Sequence, residues 1–183
     1  MKELTPVKKG SETEKLLSEA FAGEAKAVVR YLVAASVAKK EGFEQIAAIF
    51  EESAKNELEH AKIIMKLLNE KPKSTEEALA KAINGEHHEW SRMYPDIKVV
   101  AQKEAEKDVT NFLEKVAEVE LQHETRFKKL LENIKSKRVF KKDKVVKWKC
   151  RNCGYVLASR EAPDQCPNCL HPKSYFELFC ENY

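Results

Sequence analysis

The sequence predicts a mainly α protein, a four-helix bundle followed by a small metal-held module. Three observations carry that reading. Val7–Lys71 and Asp96–Ala162 contain no proline. Apolar residues in the helical part recur at the i, i+3, i+4, i+7 spacing of amphipathic helices. All five cysteines, with three of the six prolines, fall in the last 34 residues. A segment that short cannot bury enough core to stand alone, so its thiols are read as metal ligands. The expected domains are a helical bundle over 1–134, a basic linker over 135–149 and a four-cysteine domain over 150–183.

The first helix opens at Ser11, with Glu14 three residues on as its capping-box partner, and runs to about Lys40 before Gly42. The second runs from about Glu44 to Asn69, with Pro72 preventing its continuation. The third opens at Ser74 with Glu77 as box partner and is expected to end at Tyr94, before Pro95. The last covers about Asp96 to Ile134, with a break near Glu104 to Asp108. Four long amphipathic helices with short connections make a bundle.

Composition narrows the function. The chain has 183 residues, 34% of them charged, and no apolar run approaches the ~20 residues of a membrane span. Met1–Gly10 is polar and lacks the apolar region of a signal peptide, so neither membrane insertion nor secretion is expected. The net charge of +3 is uneven. Nine basic residues and one acid, Asp143, lie between Lys135 and Arg151, a local +8 that leaves −5 for the rest. Such a run serves as a nucleic-acid patch or as a solvated connector; the connector reading is adopted, and no nucleic-acid partner is expected.

The helical part repeats itself. Ala38–Glu70 shifted by 63 positions onto Ala101–Asn133 matches at 11 of 33 places, among them Glu57/Glu120, Leu58/Leu121 and His60/His123. A shift of 62 brings Gly23-Glu24 onto Gly85-Glu86 and Arg30 onto Arg92. Each half is thus a helix pair that carries Gly-Glu and then Glu-x-x-His.

The carboxylates sit on the apolar stripes. Glu24 lies between Phe21 and Ala27-Val28, and Glu57 and His60 between Ala54 and Ala61-Ile64. In the third helix the stripe runs Leu79, Ala82, Ile83, Glu86, Glu89 or Trp90, Met93. In the last, Glu120 and His123 lie between Val116-Ala117 and Phe127. An unpaired buried carboxylate costs several kcal/mol or takes up a proton. Glu24, Glu57, Glu86, Glu89 and Glu120 have no Lys or Arg beside them on these stripes, and two multivalent metal ions would supply the missing charge. One Glu from each of two helices plus Glu-x-x-His from each of the other two is the known ligand pattern of ferritin-like di-iron and di-manganese bundles. The three-residue spacing puts Glu and His on one face. Mixed carboxylate and imidazole ligation favours iron or manganese over zinc. His87 and His88 lie off the stripe and are read as surface or supporting residues.

In the tail, Cys150-x2-Cys153 and Cys166-x2-Cys169 are two knuckles 12 residues apart, a four-thiolate metal site. Spacing alone leaves iron and zinc both open. Cys180 is left over and is read as a packed thiol near the C-terminus, and His171 is read as a turn residue.

Taken together, Phe21-Ala-Gly-Glu24 through Arg30-Tyr31, Glu57-Leu-Glu-His60, Gly85-Glu86-His-His-Glu89 with Met93-Tyr94-Pro95, and Glu120-Leu-Gln-His123 resemble the rubrerythrin family. So do Trp148-Lys-Cys-Arg-Asn-Cys153-Gly-Tyr155, Ala162-Pro163, Cys166-Pro-Asn-Cys169, and His171-Pro-Lys173 to Tyr175-Phe-Glu-Leu178. One departure is Leu170, where the family usually has Gly.

The resemblance implies a ferritin-like bundle with a C-terminal rubredoxin-like domain. It implies a cytoplasmic non-haem peroxidase that reduces hydrogen peroxide to water in oxidative-stress defence. The implied cofactors are a di-iron centre on Glu24, Glu57, His60, Glu86, Glu120 and His123, and one iron on Cys150, Cys153, Cys166 and Cys169. Glu89 is the family's additional ligand, implied to exchange with His60 on one iron as its oxidation state changes. Tyr31, seven residues beyond Glu24, and Tyr94, five beyond Glu89, can hydrogen-bond a ligand carboxylate or the substrate. The implied partners are rubredoxin or an NAD(P)H-dependent reductase as electron donor, and a second copy of the chain in a homodimer or higher oligomer. Two other readings explain less. Ferritin-like iron oxidation and storage leaves the four-cysteine tail unexplained, and a zinc-ribbon binding protein leaves the inward carboxylates unexplained.

Overall fold

The computed structural model describes residues 4–181; residues 1–3 and 182–183, which end the expected 1–134 and 150–183 domains, lie outside the described residues. The chain divides between Pro72 and Lys73 into two compact units.

The first unit is a helical hairpin. Helix α1 spans Glu12–Lys40 and α2 spans Glu44–Leu67. Ser11 caps α1 as its sequence requires, accepting from the Glu14 backbone N–H. Gly42, at φ 83°, takes the left-handed turn between the helices. Ala35 and Ala38 pack against Ala47 and Phe50. Small side chains at these places let the two backbones approach closely.

In the second unit α3 spans Thr75–His88, a π-helical turn Glu89–Met93, α4 Tyr94–Lys103 and α5 Lys107–Lys135. The break expected near Glu104 to Asp108 is present, closed by Ala105 at φ 60°. The end expected at Tyr94 is not. Pro95 sits in the first turn of α4, where a missing N–H costs nothing, and the helix runs on through it. The preceding turn widens, with the Tyr94 N–H donating to the Glu89 carbonyl, five residues back.

The basic segment 135–149 also departs from its expected role as a linker. Residues Lys141–Cys150 form strand β1, which pairs antiparallel with β2, Val156–Glu161, and β3, Phe176–Leu178, in the order β2-β1-β3. The period-2 pattern explains it. Val146, Trp148 and Cys150 turn inward while Val145, Lys147 and Lys149 turn outward. Trp148 is 1% exposed, and its indole N–H donates to the Ser159 carbonyl at 3.1 Å. It packs with Cys150, Ala162, Cys166 and Phe176 in the module's small core. The lysines are the solvated face of a strand. Mainly helical with a small C-terminal sheet, the structure has the expected fold class. Among the described residues, no helix is long and apolar enough to cross a membrane.

Candidate metal centres

Among the described residues, three groups of side chains bring ligand atoms within 4.8 Å of one another: Glu24, Glu57 and His60; Glu86, Glu120 and His123; and the four thiols of Cys150, Cys153, Cys166 and Cys169.

The first group lies on the α1–α2 hairpin. His60 Nδ1 is 2.7 Å from Glu57 Oε2 and 3.8 Å from Glu24 Oε1. The second, on α3 and α5, repeats it: His123 Nδ1 is 2.7 Å from Glu120 Oε2 and 3.6 Å from Glu86 Oε2. In both, the i, i+3 spacing stacks Glu and His on one helix face, and the Gly-Glu of the other helix completes the set. Partial burial raises the pKa of Glu24, helped by a hydrogen bond shared with Glu57. Burial raises that of Glu86 in the same way, helped by Glu120. Two carboxylates and an imidazole converging on one point form a ligand set that a multivalent ion fits. An oxygen-rich set with one imidazole suits iron.

Glu89 stands beside the second group rather than in it. It lies half-buried on the π turn, and its charge adds to the upward shift of Glu86. Tyr94 is hydrogen-bonded to it. The phenol is pushed up first by burial and then by the Glu89 charge, so it keeps its proton at neutral pH. The π turn is what makes that pairing. On an α-helix residues five apart diverge, whereas an i→i+5 ring stacks them. Tyr31 is half-buried on α1 with its ring 6.0 Å from that of Phe50, and His88 is exposed at the end of α3.

Sequence reasoning missed Glu124. It is the only buried charged residue among those described, 2% exposed. Its carboxylate accepts from Trp90 Nε1 at 2.6 Å and lies 2.6 Å from Lys128 Nζ and 3.2 Å from His87 Nδ1. Its pKa is held low chiefly by Lys128. The available signal was Lys128 at i+4, together with the need of a part-buried indole for an acceptor.

The thiols form two matching knuckles. The Gly154 N–H donates to the Cys150 carbonyl and the Leu170 N–H to the Cys166 carbonyl, both at 2.9 Å. Leu170 takes the left-handed turn at φ 62°, as Gly154 does at φ 78°. The departure from Gly therefore leaves the knuckle in place. Cys150 and Cys169, and Cys153 and Cys166, face each other with sulfurs 3.7 Å apart. Cys153 is lowered to about 6 by the Asn168 side chain and the Tyr155 backbone N–H. The His171 N–H also donates to Cys169, but burial and the neighbouring sulfurs outweigh it and push that thiol up to about 11. A metal ion that binds all four sulfurs must displace the remaining protons. Cys180 is exposed rather than packed as expected.

A family model described as Rubrerythrin matches residues 15–131, and one described as the rubredoxin-like domain of rubrerythrin matches residues 148–177. A rubrerythrin of Porphyromonas gingivalis is 44% identical over 187 residues, which cover 96% of this chain and 94% of the relative. A rubrerythrin of Clostridium perfringens is 44% identical over 191 residues, covering 96% and 98%. One from Nitratidesulfovibrio vulgaris is 41% identical over 187 residues, covering 96% and 98%.

Proposed function

The chain belongs to the rubrerythrin family, an oxidoreductase family whose cofactors are a di-iron carboxylate centre and a four-thiolate iron, and from that premise we propose that it reduces hydrogen peroxide to water. The observation that carries the reading is the coexistence, in one chain, of two matching Glu–Glu–His clusters and a four-thiol cluster. The reaction consumes two electrons and two protons per peroxide and releases two waters. Bound iron would supply the electrons for that reduction, from the carboxylate pair and, one at a time, from the four-thiolate site.

The chain's own residues do the rest. Glu24, Glu57, His60, Glu86, Glu120 and His123 hold the pair, and the four cysteines hold the single iron. Glu89 would be the seventh ligand, the one the family resemblance implies to exchange with His60 as the oxidation state changes. Its place beside Glu86 but outside the Glu86/Glu120/His123 cluster supports that role. Tyr94 retains its proton next to Glu89 and is placed to donate a hydrogen bond to the substrate or to that carboxylate; Tyr31 is the corresponding phenol on α1. The site works in the cytoplasm, on electrons from rubredoxin or an NAD(P)H-dependent reductase.

The chain works as a homodimer or higher oligomer. Glu120 and His123 lie 15 and 12 residues before the end of α5 at Lys135, about 18–22 Å along the axis at ~1.5 Å per residue. Electron transfer falls off steeply with distance, so a thiolate iron from a second copy is the better-placed donor.

The test is anaerobic. Fully reduced protein is mixed with one equivalent of peroxide, and reoxidation is followed through the absorption of the thiolate iron. Wild type reoxidises quickly. Glu89→Ala keeps its iron and reoxidises about 10–100-fold more slowly. Equal rates in the two proteins would refute the role of Glu89, and a wild type that peroxide does not reoxidise would refute the peroxidase.

A further inference from the structure

The two halves of the repeat hold the same three ligand types, yet only the second has a π turn, an extra carboxylate and a buried acid. The shift of 62 that superposes Glu24 on Glu86 sets Ala25 against His87, Ala27 against Glu89 and Val28 against Trp90; the shift of 63 sets Ala61 against Glu124. The four residues that distinguish the second half are thus small or aliphatic in the first. Three of the four form one cluster around the Glu124 carboxylate, and the fourth, Glu89, sits between two of them in sequence.

The arrangement is regular. His87 follows Glu86, Trp90 follows Glu89 and Glu124 follows His123. One residue is about 100° of helical rotation. The hydrogen-bonded face therefore runs beside the ligand face on both partners, α3 with its π turn on one side and α5 on the other. Trp90 lies within the π turn, and its indole N–H reaches 34 residues along the chain to Glu124 Oε2 at 2.6 Å. His87 lies one turn earlier, 3.2 Å from the other oxygen, with its ring edge-on to Trp90 at 5.2 Å between centroids. Lys128, one turn further along α5, donates at 2.6 Å. With its oxygens occupied by these groups, Glu124 is not a metal ligand. A π turn leaves its helix with one residue too many for regular packing, and something must fix which way the surplus turn faces. Here that turn carries Glu89.

We propose that Glu124 is a positioning residue for the second half-site: through Trp90 and His87 it fixes the π turn against α5 and so sets where Glu86 and Glu89 stand relative to Glu120 and His123. This rests on the reading of those four residues as iron ligands. Hydrogen bonds made directly to metal ligands alter affinity by about 10–100-fold when removed, and the tie of Glu124 acts one residue along from Glu86, Glu89 and His123. Among the described residues the first hairpin, with Ala61 at the matching place, has no such contact, and its helices carry no surplus turn to fix.

The experiment uses the full chain loaded with isotopically enriched iron, fully reduced, and reads Mössbauer spectra and ferrous dissociation constants. The four-thiolate iron gives a distinct signal that serves as an internal reference. In Glu124→Leu, one of the two oxygen/nitrogen-ligated ferrous signals should change, and one of the two ferrous constants should rise about tenfold or more. The other signal and the thiolate signal should stay as in wild type. Trp90→Phe, which removes only the indole N–H, should shift the same signal in the same direction, and it decides the matter alone if Glu124→Leu does not fold. If both irons keep wild-type spectra and affinities in the variants that fold, the positioning role is wrong. Glu120→Ala separates this from the underlying reading. If that variant binds as much iron as wild type, the ligand assignment itself fails.

Discussion

Leu170 occupies a backbone conformation that L-residues avoid, at a cost of about 1–2 kcal/mol. It does so because the turn after Cys169 needs φ near +60° for the Leu170 N–H to reach the Cys166 carbonyl. Glycine there would relieve the strain but lose about 0.5–1 kcal/mol to its freer unfolded chain. Leu170→Gly is therefore expected to stabilise the iron-loaded module by about 0.5–1 kcal/mol, measured by chemical denaturation followed through Trp148 fluorescence. The thiolates make a sharper case. Cys150→Ser should cost the chain its red ferric-thiolate absorption and one iron in three while the carboxylate pair stays loaded, which metal analysis with a visible spectrum would check. The proposed ligand residues were legible in sequence because a carboxylate on an apolar stripe stands out locally. Glu124 did not stand out, because what accounts for its burial is Trp90, 34 positions away.

At the scale of elements, the caps behave as their sequences require. Ser74 accepts from the Glu77 N–H at 3.1 Å, and the Glu77 carboxylate accepts from the Lys73 N–H at 2.7 Å. Ser74→Ala should cost about 1 kcal/mol of stability. The Lys73 N–H, and then Lys81, hold the Glu77 carboxyl below its usual range. A depressed carboxylate contributes stability that is fully present above its unfolded pKa and lost as pH falls through the folded value. Glu77→Gln should therefore lower the melting temperature at pH 7, by an amount that shrinks as pH falls below the usual carboxylate range, as followed by circular dichroism. Two elements were misread. Pro95 looked like a helix end, but it falls in the first turn of α4, after a π turn that no local rule announces. The lysine-rich segment before Cys150 looked like a connector, since charge masked the alternation of Val146, Trp148 and Cys150. Strand pairing with β2 and β3 is what makes that alternation matter.

For the whole molecule, the proposed relay between copies predicts complementation. Cys150→Ser lacks the thiolate iron and Glu57→Ala lacks a ligand of the pair, so each alone should be inactive. After subunit exchange, a mixed dimer holds one intact path from the thiolate iron of one copy to the pair of the other, and part of the peroxide turnover should return. Mixed dimers that form and stay inactive would place the path within one chain. The sequence by itself determined the long helices, the doubled Glu-x-x-His and the two cysteine knuckles, because each depends on spacing within a few residues. Only the tertiary structure decided the π turn, the strand within the basic segment and the buried Glu124 with its tie to Trp90. The strand and the buried acid are settled by hydrogen-bond partners on other elements, which come within reach only once the elements have packed, and the π turn by a five-residue ring that no spacing rule announces.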